Sequence, residues 1–322
     1  MHVQEVWHWL AAIYLFLGGL GAGAFLVAAV VELTGERYKQ EFCPITLVGS
    51  TIAGPAVGIG AFLLVLELGA GLREPWRIPY MFTHFTSVMT WGIWILSLFV
   101  PIAFAYGFLE VMDTYPKAWI WVTGKLRFKV LKRLPVRRLK RIMAVMGSVF
   151  ALATGIYTGV LLCGVGPAIP LWSAPLWPGL SIPLLPILFL VSAISTGMGL
   201  TIDMTATISQ PETHRRFHSL PVIHMTAIGL EAILVGLLLY SANSLGGAGA
   251  MSVNLIASGH MRTVFWIGFV ATGLVYPFAV HAYAIGAGKH SIASGIGSGV
   301  GIVFAGLMLR YLILTSGMPP VL

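Results

Sequence analysis

The chain has 322 residues, of which 57% are hydrophobic and only 9% are charged, whereas about 25% are charged in a soluble domain. A soluble core of this length could not bury so much apolar surface, so the composition predicts an integral membrane protein. The net charge of +8 does not indicate nucleic-acid binding, because ten of the nineteen Lys and Arg lie between Lys117 and Arg141, in one predicted loop.

Eight apolar runs are long enough to cross a bilayer, which takes about 20 residues at a rise of about 1.5 Å each. They lie near 9–31, 45–68, 88–111, 143–165, 184–206, 220–244, 263–286 and 292–314. The predicted fold class is therefore an all-α integral membrane protein with eight transmembrane helices.

The basic residues are distributed unequally between the two faces of the membrane. The connections between spans 1–2, 3–4, 5–6 and 7–8 share one face, which carries Arg37, Lys39, the ten-residue cluster, Arg215, Arg216 and Lys289. The other face has little beyond Arg73, Arg77, Arg262 and Arg310. The positive-inside rule predicts a multi-pass protein of the plasma membrane with the basic loop in the cytoplasm, against anionic lipid, and both termini outside.

Two pairs of segments suggest an internal duplication. HFTSVMTWGIWILSLFVP, from His84, matches HMRTVFWIGFVATGLVYP, from His260, and LFLGGLGAGA, from Leu15, matches LFLVSAISTG, from Leu188. Repeats of this kind are common in membrane proteins. We predict two four-helix bundles: residues 1–142 and 143–165, with a basic cytoplasmic loop at 113–142, then an outer loop at 166–183, then residues 184–322.

Polar and aromatic side chains gather at the predicted outer ends of the first four helices. They are His8, Tyr14, Glu67, Arg73, Arg77, His84, Tyr157 and Trp172. A quinone head group needs such a set: donors at its two carbonyls, a carboxylate or imidazole that accepts protons, and flat apolar walls. The alternative is an aromatic belt with snorkelling arginines. The greater depth of Tyr14 and Tyr157 favours function for these two.

The second half carries ionisable residues inside its apolar runs, namely Asp203, His224, Glu231 and His281. Such residues are costly in hydrocarbon and are usually functional, so we predict a half-channel for protons from the cytoplasm. The alternative is that they only hydrogen-bond the helices together. A haem between paired histidines is not excluded, but histidine as a polar donor is the simpler interpretation, and we predict no haem or metal in this chain.

Several motifs, taken in order, resemble the NrfD-type family, the membrane subunit of polysulfide reductase and related molybdopterin respiratory complexes. They are EVWHW followed by YLFLGGLGAGAFL, then SVMTWGIWIL, GIYTGVLL, LWS and PLLPILFLVSAISTG. The resemblance implies an eight-helix protein without haem. It also implies electron exchange between a membrane quinone, which we expect to be of menaquinone type, and a ferredoxin-like iron–sulfur subunit that serves a molybdopterin catalytic subunit.

The resemblance also suggests roles for individual residues. The helix-4 tyrosine that holds the quinone in the polysulfide-reductase branch corresponds to Tyr157. A histidine and an asparagine expected on helix 1 fall on Tyr14 and Ala11, and Ala11 cannot donate a hydrogen bond. Glu67 replaces the aspartate of a DLGRPxR segment, and Arg77, or less surely Arg73, takes the place of its arginine.

The function predicted from the sequence is oxidation of membrane quinol in a multi-subunit oxidoreductase that reduces polysulfide, sulfur or a related sulfur compound at the outer face. In this hypothesis His8, Glu67 and His84 accept protons, Tyr14 and Tyr157 orient the head group, and Trp172 with the two loop arginines completes the site. The alternatives are an ion- or proton-translocating, transporter-like module without quinone chemistry and a purely structural anchor. Buried carboxylates disfavour the anchor.

Overall fold

A computed structural model describes residues 9–35, 39–67, 75–115, 117, 135–164, 168–177, 180–208, 219–287 and 292–318. Within these ranges eight helices are long and apolar enough to span a membrane, and no β-strand is present beyond an isolated bridge between Pro175 and Pro183. The predicted fold class is confirmed.

The eight helices are numbered here in chain order. They are α1 (Trp9–Thr34), α2 (Lys39–Glu67), α3 (Val88–Thr114), α4 (Val136–Cys163), α5 (Leu185–Ile208), α6 (Ser219–Ser244), α7, which joins a π-helical part (Val264–Val275) to an α-helical part (Tyr276–Ala287), and α8 (Ile292–Thr315). Three shorter helices lie in the connections: a 3₁₀ helix (Pro75–Phe82) before α3, a single turn (Pro170–Ser173) before α5, and Gly247–Ala257 before α7.

The helices of each half pack in a ring. In the first half α1 and α3 each contact both α2 and α4, and in the second half α5 and α7 each contact both α6 and α8. The two rings meet where α5 packs against α1, α2 and α4, and where α8 packs against α1. This packing is compatible with two four-helix bundles, whereas the internal duplication stays a prediction.

Glycine permits the closest contact between the halves. A Cβ atom on Gly23 of α1 would overlap the carbonyl of Ala193 in α5, and one on Gly197 of α5 would overlap the α1 backbone at Gly23. Small residues at helix crossings let backbones approach in lipid, where no hydrophobic force drives the helices together.

Two cations that the sequence pattern groups with the loop and surface charges lie inside helices. Arg310 is within α8 and is 1% exposed, and Lys140 is within α4 and is also 1% exposed. Both are buried because each has acceptors from neighbouring helices, described below, and a charge is tolerated in the interior only when it is paired.

Candidate functional site

The hydroxyl groups of Tyr14 and Tyr157 face one small cavity among the helices of the first half. Tyr14 lies near the start of α1 and Tyr157 near the end of α4, and apolar side chains of Leu15, Leu64 and Leu96 form much of the remaining wall. The cavity has room for about one water molecule.

Both tyrosines are buried, at 5% and 6% exposure, and neither hydroxyl has a hydrogen-bond partner among the described residues. A buried hydroxyl without a partner is unusual, because desolvation without a compensating hydrogen bond costs about 1–3 kcal/mol. Two such groups on one cavity point to a ligand that carries hydrogen-bonding oxygens.

Gly92 of α3, which the sequence did not single out as a site residue, positions the Tyr157 ring. A Cβ atom at this position would overlap the Cζ, Cε1 and hydroxyl oxygen of Tyr157. The ring therefore lies directly on the α3 backbone, and this contact directs the hydroxyl. The missing side chain gives no chemical signal in a sequence where glycine is common.

The predicted proton acceptors lie at different distances from the cavity. Glu67 is the last residue of α2, is half-buried and lies within electrostatic range of the Tyr14 hydroxyl. His84 is exposed in the turn before α3. His8 and Arg73 lie outside the described residues; Arg77 belongs to the 3₁₀ helix, but its side chain lies outside the described part of the structure.

Trp172 is buried and bonded elsewhere. Its indole N–H donates to the carbonyl oxygen of Ile313 in α8 at 2.7 Å, and its ring packs against Gly317. This contact joins the outer connection of the first half to the end of α8. The only N–H of the ring is therefore engaged, and a role of Trp172 at a quinone stays a prediction.

In the second half the predicted proton-pathway residues lie along one face of α5. Ser192, Ser195, Gly199 and Asp203 follow each other at spacings of three and four residues, which places them on a single helix face. This stripe is about 17 Å long at the helical rise. It forms the wall of what we call the polar column, which consists of this face and the side chains that contact it.

At one end of the column a buried ion pair joins three helices. Arg310 donates to the Ser192 hydroxyl at 2.6 Å, and Glu231 of α6 accepts hydrogen bonds from Ser192 and Ser195. Arg310 also lies 5.2 Å from the centroid of the Phe189 ring. A lone arginine inside an apolar run was the available signal for this residue.

Two histidines occupy the middle of the column. His224 Nδ1 and His281 Nε2 are 2.7 Å apart, and both rings are fully buried. The His224 ring lies against Gly199 of α5, and Asp203, further along, faces Ser298 of α8. The structure thus brings the four predicted residues and Arg310 into one buried series.

The family described as "Polysulphide reductase, NrfD" matches residues 1–321 of this chain. The C subunit of polysulfide reductase from Wolinella succinogenes is 30% identical over 322 residues, covering 97% of this chain and 94% of that protein. Protein NrfD of Escherichia coli is 31% identical over 331 residues, covering 97% and 95%. These matches confirm the resemblance seen in the motifs. The chain belongs to the polysulphide reductase NrfD family, a family of membrane subunits of respiratory oxidoreductases.

Proposed function

We propose that this chain is the quinol-oxidising membrane subunit of a respiratory complex. Electrons from quinol pass to a ferredoxin-like iron–sulfur subunit and through it to a molybdopterin subunit that reduces polysulfide, sulfur or a related sulfur compound. The observation that carries the proposal is the pair of unpartnered, buried tyrosine hydroxyls on one cavity. The names of the relatives support the sulfur substrate and the partner subunits.

Quinol oxidation releases two electrons and two protons, so the site must hold two oxygens and accept protons. Tyr14 and Tyr157 would each bond one oxygen of the head group, since a phenol both donates and accepts. Glu67 is the acceptor nearest to Tyr14 and would take a proton from that side. His8 and His84 are the further acceptor candidates, and Arg73, Arg77 and Trp172 complete the predicted site.

The size of the cavity adds a requirement to this function. A quinone ring is much larger than one water molecule, so its head group enters only when the leucine-lined wall opens. The closed form keeps water away from the two hydroxyls, and bonds to the head group replace no protein–protein bond there. We expect menaquinone-type quinols as substrates.

The test is Tyr157→Phe, which removes one hydroxyl and keeps the ring. Loss of a buried hydrogen bond is worth about 1–3 kcal/mol, or about tenfold and upward in affinity. We expect impaired quinol turnover by the assembled complex, with unchanged assembly. Tyr311→Phe is the matched control, because Tyr311 is a half-buried tyrosine of α8 that does not line the cavity. Wild-type kinetics in Tyr157→Phe would remove this residue from the site.

Proton translocation is a second function that one specific observation favours. The polar column carries four titratable groups, Asp203, His224, Glu231 and His281, through the interior of α5–α8. A half-channel needs such a series, whereas side chains that only hold helices together need no order along one face. This function accompanies quinol oxidation in our proposal. The hypothesis of a transporter without quinone chemistry leaves the tyrosine cavity unexplained.

A further inference from the structure

Four ionisable side chains meet at the other end of the first half, far from the tyrosine cavity. Lys140 of α4 lies 2.5 Å from Glu110 and 2.8 Å from Asp113, both of α3, and 3.4 Å from Glu32 of α1. We call these four residues the Lys140 cluster. It lies next to the connection between α3 and α4, which is the basic loop, so it belongs to the predicted cytoplasmic face.

The cluster holds more negative than positive groups in a buried place. With all groups ionised, three carboxylates and one ammonium give a formal charge of −2, and the side chains of Glu32, Glu110 and Lys140 are at most 5% exposed. An excess of buried charge is costly and is relieved by uptake of a proton. Glue between helices needs one carboxylate for one lysine, so the additional carboxylates need another explanation.

The carboxyl oxygens differ in how they are bonded. Asp113 accepts a hydrogen bond from Lys140, whereas Oε2 of Glu110, although in ion-pair contact, takes part in no hydrogen bond among the described residues. One turn deeper, the fully buried Tyr106 hydroxyl makes only a 3.4 Å contact to the Ala28 carbonyl, longer than an ordinary O–H···O bond. The buried end of the cluster therefore has bonding capacity to spare.

Access differs between the two ends of the cluster. The Asp113 side chain is 32% exposed and gives a route from water. In the opposite direction Phe25 packs against Tyr106 and Phe99, with ring centroids 5.1 Å and 5.3 Å apart, and closes the interior with aromatic rings. A proton that enters at Asp113 therefore reaches Glu110 and stops.

We propose that Glu32, Glu110, Asp113 and Lys140 form a proton-binding site that fills and empties through Asp113 from the face that carries the basic loop. The proton is added to the Glu110 carboxylate, which becomes a carboxylic acid, while Lys140 stays paired with Glu32 and Asp113. The other groups that face Glu110 are Tyr106 on the same helix and, beside Lys140, Arg141, which has interactions of its own. The described side chains of α2 add one charge, Glu67, at its far end.

Infrared difference spectroscopy of the purified protein in liposomes, between acid and alkaline buffer, tests this site without any quinol turnover. We expect a carboxylic acid band that shifts in heavy water, is lost in Glu110→Gln and persists in Glu231→Gln, the control carboxyl of the second half. A folded Glu110→Gln protein that keeps every wild-type band would overturn the proposal and leave the cluster as an ion-pair contact.

A second variant covers the case in which Glu110→Gln does not fold. Asp113→Asn keeps the shape of the side chain and removes its charge from the entrance. After a rapid pH change, the carboxylic acid band should appear at least several-fold more slowly in Asp113→Asn than in wild type. Equal rates in the two proteins would contradict entry through Asp113.

Discussion

At the scale of single residues, the position of the Tyr157 ring depends on an absent side chain. Gly92→Ala places a methyl group where the ring now lies, so the ring must shift from the α3 backbone. Overpacking of this kind costs about 1–3 kcal/mol. We expect quinol turnover to fall about tenfold, measured on the assembled complex, with a modest decrease in thermal stability.

Two comparisons show whether Gly92→Ala acts through Tyr157. Gly229→Ala adds the same methyl group to α6 at a place where it meets nothing within 4 Å, and should leave turnover unchanged. The double variant Gly92→Ala with Tyr157→Phe should turn over no more slowly than the slower single variant, because both changes remove the same hydrogen bond. Fully additive losses would separate Gly92 from the tyrosine.

Residues of the site that stand out by chemical type were predictable from the sequence, whereas those defined by their contacts were not. Tyr14 and Tyr157 stood out as deep tyrosines, and the structure brings their hydroxyls to one cavity. Lys140 was counted among the loop charges because its neighbours in sequence are also basic. Its carboxylate partners come from α1 and α3, and nothing in the local sequence of α4 reveals them.

At the scale of the element, α5 shows why a polar column is difficult to recognise in sequence. Hydroxyl side chains in apolar helices commonly bond to their own backbone, as Thr196 does to the Ser192 carbonyl and Thr201 to the Gly197 carbonyl. Ser192 and Ser195 have the same residue types but contact α6 and α8 instead. Asp203 was predicted because a carboxylate in hydrocarbon is rare; the serines gave no comparable signal.

Glu231→Gln tests whether the column carries protons. Glutamine can keep hydrogen bonds to Ser192 and Ser195 but cannot titrate, and Arg310 keeps the Ser192 hydroxyl and the Gly306 carbonyl as acceptors. We expect folding and quinol oxidation to persist while proton uptake from the inside is abolished. The measurement follows internal and external pH in liposomes that contain the complete complex and are driven by quinol.

The control for this experiment is Thr272→Val in α7. Its hydroxyl bonds to the Gly268 carbonyl of its own helix at 2.7 Å and does not belong to the column, so proton movement should be unchanged. Identical proton movement in wild type and Glu231→Gln would end the pathway hypothesis, and the buried groups of the second half would then serve to hold its helices together.

At the scale of the whole molecule, the eight spans follow from hydropathy alone, because each spanning helix must be apolar over its own length. Their bounds agree within a few residues except where charge is neutralised inside the protein: α4 begins at Val136 instead of near 143. The contact between α1 and α5 was not predictable from hydropathy. It depends on Gly23 and Gly197, which lie far apart in the chain and resemble many other glycines.

The orientation of the molecule in the membrane rests on charge and is open to a direct test. We expect a cysteine in place of Lys125, in the basic loop, to react with an impermeant thiol reagent only after the cells are broken open. Ser258, an exposed residue between Gly247–Ala257 and α7, lies in the connection between the sixth and seventh spans, so Ser258→Cys should react in intact cells. The native thiols Cys43 and Cys163 are first replaced by serine, which keeps a donor for the contact of Cys163 with the Trp172 carbonyl. The reverse pattern would place the basic loop outside. It would also place the tyrosine cavity near the cytoplasmic face and the Lys140 cluster near the outer one.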